Sequence, residues 1–428
     1  MRMEFQMNQW SANKTFSLLA ALAGISACIV SGAGRSYFSS SVWAQDSKKP
    51  ADRKSIVLDR SPIRKLEDPN ATLHAIAVDV ERGEVFVGND NIMSPPSIMA
   101  YPLDFAPTDK VMEPKRRIAG PKTNLGAICG LAISPEAKEL YAVDGDGESM
   151  DVFSLEANGD VPPARQLAVA HGSGGVYLDL KHDELFITTE HVNKITVFRR
   201  TAQGEEKPLR TIQGSRTKLA DSHGIYVDTD KDEIFVVNHG HWRETAPGED
   251  DARRKGGDGS RRHPGVPEDL APSTGQFFPP SITVYSRTAQ GDVAPLRVIE
   301  GPRTRLNVPS GILLDPASNQ LIVANAGDDS LLFFDRDAVG NAAPVRVLQG
   351  PLTNIKGPTG ISVDLKRNEL WVTNWDNHTA TVFPRNAKGN VAPLRLIRTA
   401  PKDVPAPGFA TAGGLAYDPK RDEILINN

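Results

Sequence analysis

Apolar and polar residues alternate along this chain in short paired runs. In IYVDTDKDEIFVVN, starting at Ile225, one alternating run leads through a polar turn into a second. That pattern predicts a β-hairpin with one face buried. It recurs as AIAVDVERGEVFVGN from Ala75, GLAISPEAKELYAVD from Gly130, GVYLDLKHDELFITT from Gly175, GILLDPASNQLIVAN from Gly311, GISVDLKRNELWVTN from Gly360 and GLAYDPKRDEILINN from Gly414.

Between copies stand two further alternating runs, as in SITVYSRTAQGDVAPLRVIEGPRTRL from Ser281. Their interior turns, TAQG, EANG, DAVG and NAKG, place glycine where the chain needs positive φ. Four short strands in a repeat of about 50 residues describe a blade of a β-propeller. The sequence predicts an all-β, seven-bladed propeller over 55–428 with four-stranded blades. Six units run from Ala75 to near Gly413, and the last blade is expected to be composite. It would join SIVLDRSPIRKLEDPNATL from Ser55 to the hairpin 414–428, so that trimming at Asn428 would harm stability.

LWVTN at Leu370, LIVAN at Leu321 and IFVVN at Ile234 resemble bacterial propellers of the YVTN and NHL-repeat type, including lactonase and streptogramin-lyase-like relatives. The resemblance implies the propeller fold, and a fold of this kind hosts binding, scaffolding and catalysis alike.

Residues that recur in most copies belong to the scaffold, whereas residues that break the pattern are candidates for function. Asp79, Asp179, Asp228, Asp315, Asp364 and Asp418 recur as turn formers. Asn89, Asn238, Asn325, Asn374 and Asn428 end the second run, where an amide satisfies loop backbone or faces a ligand. The first strand of each blade lines the central channel. Its starting residues, His74, Cys129, Gly174, His223, Ser310, Thr359 and Gly413, are expected to ring one mouth, joined there by Asp90, Asp144, Asp146, Glu190, His191, His239, His241, Trp242, Trp375 and Asp376.

The copy from Ile225 ends in HGHW, unlike its siblings. If the strand stays extended, His239 and His241 point to one side. With His223 they would hold zinc or another divalent metal, with Glu190 as acid or base, or they would stabilise the base of a loop. His74, His223, Asp144, Trp242, Trp375 and Asn374 are the candidates for ligand binding. DGDGESMD from Asp144 begins like a calcium loop but lacks the glycine and terminal Glu of an EF-hand. The excess length of the fourth unit lies at 239–280, rich in Gly, Pro and opposite charges, and reads as a flexible insert or a lid.

With 428 residues, 39% hydrophobic, and a formal charge of −4, the chain can bury a large core and shows no signal for a nucleic-acid partner. Residues 1–44 read as a signal peptide ending at Val42-Trp43-Ala44, followed by a short linker 45–54. Ile25-Ser26-Ala27-Cys28 offers a rival lipoprotein site that would anchor the chain at Cys28. Both place the folded part in the periplasm or outside the cell, with no transmembrane domain after processing. No nucleophile motif is present. The expectation is a monomeric module that binds a small molecule, glycan or protein at the channel mouth. The alternative is a metal-assisted hydrolase or lyase of the lactonase-like kind.

Overall fold

The computed structural model describes residues 70–402 apart from 90–93, 109, 191 and 241–277, together with residue 404, 415–418 and 423–426. The expected signal peptide 1–44, the linker 45–54 and most of the insert 239–280 lie outside the described residues. Six antiparallel sheets of four strands follow one another, spanning 73–118, 128–168, 173–213, 222–300, 309–349 and 358–398. We call them blades one to six. The inner strands are Leu73–Asp79, Ile128–Ser134, Ser173–Asp179, Ser222–Asp228, Pro309–Asp315 and Pro358–Asp364.

Each second strand is sandwiched between neighbouring blades, which is why runs such as EVFVGN and ELWVTN are buried on both faces. The largest wholly buried side chain, Trp371, packs with Leu73, Val85, Met99 and Tyr101, as expected for a core residue. Glycines 159, 204, 291, 340 and 389 adopt the positive φ expected of the turn positions, and each forms a parallel bridge to the outer strand of the preceding blade.

The blade count departs from the expectation. Among the described residues the ring closes with six four-stranded blades, not seven, and none joins strands from both ends of the chain: blade six packs directly on blade one. Between blades three and four, the Thr188 hydroxyl takes the Gly175 amide and donates to the His223 carbonyl. Between blades six and one the device is the same. Thr373 Oγ1 accepts from Gly360 N at 2.8 Å and donates to His74 O at 2.6 Å. Around it, His378 Nδ1 and the Thr399 hydroxyl both meet the Ala71 carbonyl, at 3.0 and 2.6 Å. Apolar side chains of the two blades form one core. The segment 414–428 repeats the sequence of an inner hairpin, but Leu415–Asp418 and Glu423–Ile426 pair as a two-stranded sheet of their own. A hairpin pattern records local pairing, whereas ring closure is decided by which blades pack together.

Inner strands approach one another very closely. A Cβ built on Gly311 would lie 2.1 Å from the Thr359 carbonyl oxygen, and one on Gly175 would lie 2.2 Å from that of His223. Only glycine permits this approach, so at this level adjacent inner strands touch backbone to backbone, with Ile76, Leu131, Val176, Ile225, Ile312 and Ile361 lining the channel one residue further in.

Candidate functional site

Where the inner strands begin, one end of the channel opens into a cavity of about 100 Å³, with His74, Cys129, Gly174, His223, Ser310 and Thr359 at its rim. Five of the second strands end beside it in a buried amide or carboxylate that closes the loop leading into the rim residue of the same blade. Asn89 Oδ1 accepts from Thr72 N, Asn238 Oδ1 from Ala220 N, Asn325 Oδ1 from Asn307 N and Asn374 Oδ1 from Lys356 N. Asp144 holds the same place and accepts from Gly126, Ala127 and Gly147. Asn374 and Asp144, both 0% exposed, are thereby engaged in their own loops.

Blade four adds chemistry to this frame. The strand Glu233–Asn238 continues by two residues, with His239 N donating to Asp221 O at 2.9 Å and Gly240 N to Ala220 O at 3.0 Å. This extension lays the His239 ring on that of His223, with centroids 3.4 Å apart and planes 20° from parallel. Asp221 lies beside the stack. Its carboxylate is 3.9 Å from His223 Nε2 and 3.5 Å from His239 Nδ1. The second nitrogen of each ring also faces a polar group: His223 Nδ1 stands 3.3 Å from Glu190 Oε1, and His239 Nε2 stands 3.4 Å from Ser310 Oγ. Asp221 itself is held at φ 54°, with its amide donating to Asn193 Oδ1 at 2.6 Å.

His74 starts the inner strand of the opposite blade and lies 6.2 Å from Trp375 between ring centroids. Burial pushes its pKa down to about 4; a hydrogen bond with the Ile128 backbone works the other way, and the nearby His239 adds to the lowering. His74 is therefore neutral at physiological pH, a polar group that brings no charge to the mouth.

The structure thus brings together His223, His239 and Glu190 and sets His74 with Trp375 at the same mouth. Asp90, His241, Trp242, His191 and Gly413 lie outside the described residues. Asp221 was missed by sequence reasoning because it precedes the strand and the predicted ring. The repeat carried a usable signal, since the residue two before the rim position is Thr72, Ala127, Gly172, Asp221, Val308 and Gly357 in turn. Only one of these six is ionisable. Among the described residues, Asp221, His223 and His239 form the one group of at least three His, Cys, Asp or Glu whose ligand atoms all lie within 4.8 Å of one another.

No family model matches the chain, and no curated protein matches it. Among solved structures, hydrazine synthase of Kuenenia stuttgartiensis is 11% identical, with 77% of this chain and 83% of that chain covered and a TM-score of 0.45. The WD40 β-propeller domain of Doa1 is 12% identical, with 71% and 76% covered and a TM-score of 0.43. The propeller architecture of this chain stands on its own strand order and ring closure. Among the described residues, no helix is long and apolar enough to cross a membrane.

Proposed function

We propose that the protein is an extracytoplasmic binding propeller that captures a small molecule at the channel mouth. One observation carries this reading: the side chains that break the repeat converge on one end of the ring, over an open cavity, while the other end repeats the same ion pairs from blade to blade. His74, His223 and Glu190 line the cavity, and His239, Asp221 and the half-buried Trp375 stand against them, so donors, acceptors and an aromatic surface gather at one mouth. The placement outside the cytoplasm rests on the sequence of residues 1–44 alone.

Ligand-observed NMR with a library of sugars, lactones and small polar acids tests the reading on the full chain and on a His74→Ala, Trp375→Ala double variant. Compounds whose binding signal disappears in a folded variant support it. Binding signals equal in both proteins would place the site elsewhere.

A second reading, hydrolysis or elimination assisted by a metal, follows the resemblance to lactonase-like propellers. It is favoured by the Glu190 carboxylate standing 3.3 Å from a histidine of the cluster. In this reading Glu190 orients His223 or exchanges a proton with substrate. Turnover of a lactone panel that falls in Glu190→Gln would support it.

A further inference from the structure

We propose that Asp221, His223 and His239 form a mononuclear site for a divalent transition metal of the zinc type, with Glu190 and Ser310 holding the two imidazoles from behind. This goes beyond the binding function proposed above and does not depend on it, since a metal can be held whether or not a small molecule enters the mouth.

The geometry carries the proposal in three respects. First, ligands about 2.0–2.1 Å from a tetrahedral zinc ion stand roughly 3.3 Å apart. The carboxylate of Asp221 is 3.5 Å from His239 Nδ1 and 3.9 Å from His223 Nε2, and the three ligand atoms lie within 4.8 Å of one another; side-chain rotation that opens the 20° ring stack brings both nitrogens onto one ion. Second, the remote nitrogen of each imidazole already faces an oxygen, Glu190 Oε1 for His223 and Ser310 Oγ for His239. Metal-binding histidines are oriented in this way by a carboxylate or another acceptor on the ring nitrogen that does not meet the ion. Third, the three residues come from two chain segments whose backbones are joined by the His239 N to Asp221 O bond, so the donors sit on a braced frame. Two nitrogen donors and one oxygen donor favour zinc or its first-row neighbours over calcium, which prefers an all-oxygen shell. Three protein ligands leave a coordination position for water or an oxygen-donor ligand, as in catalytic rather than structural zinc sites.

A stacked histidine pair braced by Asp221 without an ion would share some of these distances, and metal binding separates the two cases. The full chain is stripped with a chelator, titrated with Zn(II) and Co(II), desalted and analysed by elemental mass spectrometry and visible absorption. Asp221→Asn and His239→Gln are compared with His182→Gln, whose imidazole pairs with Asp179 in blade three, at the end away from the mouth. The expected result is about one equivalent of retained metal in the wild type and in His182→Gln, with at least a tenfold loss of affinity in each ligand variant. Circular dichroism checks that each variant is folded. Where a ligand variant fails to fold, Glu190→Gln decides, with an expected loss of about 10–100-fold. Less than about a tenth of an equivalent in the wild type, or unchanged affinity in the folded variants, would overturn the site. Because the readout is the metal itself, failure here leaves the small-molecule result standing, and the reverse holds as well.

Discussion

The two ends of each blade are built on opposite principles. At the end away from the mouth, one arrangement recurs: an arginine opening the fourth strand bonds to a glutamate opening the second and lies near an aromatic ring. Arg116 pairs with Glu84 near Phe86, Arg210 with Glu184 near Phe186, Arg297 with Glu233 near Phe235, and Arg395 with Glu369 near Trp371. Further arginines lace adjacent blades together, as Arg336 of blade five does by reaching Asp228 and Glu233 of blade four at 2.7 and 2.6 Å. At the mouth, by contrast, the six rim residues are nearly all different. Repetition marks what every blade must do to hold its neighbours, and variation marks what only one place in the ring does.

The contrast breaks first at Arg336, whose side chain is 2% exposed. Arg336→Ala leaves Asp228 and Glu233 short of a buried partner and should cost about 3 kcal/mol, since breaking a buried pair strands the remaining charge. His239→Ala should cost under about 1 kcal/mol. Urea denaturation of both variants measures the difference, and equal losses would undo the division of labour between the ends.

The second way to sharpen it uses pH. Burial raises Asp151 to about 6, with Asp144 adding to the rise. An unfolded aspartate titrates near 3.9, so the folded state holds this proton more tightly. Its contribution is therefore present at low pH and is lost as pH rises from about 4 through 6, by about 3 kcal/mol. His74 has the opposite sign: its depressed pKa costs stability as pH falls from about 6.5 towards 4. Asp151→Asn should raise the urea midpoint at pH 7 and leave stability climbing more steeply between pH 4 and 6.5. An unchanged pH profile would show that the carboxyl does not titrate in that window.

The smallest effect belongs to blade five, where Gln320 stands in place of the glutamate. Arg346 donates to Gln320 Oε1 at 3.1 Å and to two carbonyls of the next blade, and burial lowers its pKa. Gln320→Glu restores the repeated pair and should add about 1 kcal/mol, the scale of a hydrogen bond upgraded by charge. A destabilised variant would mean that blade five has adapted its packing to the neutral amide.

Strands, turns and the mouth were legible because repetition exposes them. The period-2 alternation comes from burial, and the turn glycines come from a backbone conformation that other residues resist. His223, His239 and Glu190 were legible because they interrupt that repetition. The number of blades was not, because 414–428 carries the pattern of an inner hairpin while the ring closes through contacts between 73–79 and 358–364. No local pattern distinguishes a hairpin that joins a ring from one that stays outside it. Asp144 and Asn374 show a different limit: the sequence placed them near the mouth, but their side chains bond to the loops that shape it. Asp221 was hidden because its position falls in a loop whose backbone conformation, left-handed also at Gly172, Val308 and Gly357, belongs to the frame. Only its side chain is particular to blade four.

The glycine-lined wall has an evolutionary consequence. Just below the rim, five of the six inner strands carry glycine and then a single aliphatic residue, so polar recognition can be altered chiefly at the rim itself. Each rim residue opens a separate blade, although some meet across the rim, as the Thr359 hydroxyl does in donating to the His74 carbonyl. The ring is held shut by contacts below and away from the rim, so the same scaffold can be re-specified for a new ligand by rewriting rim residues together with the neighbours and loops that brace them.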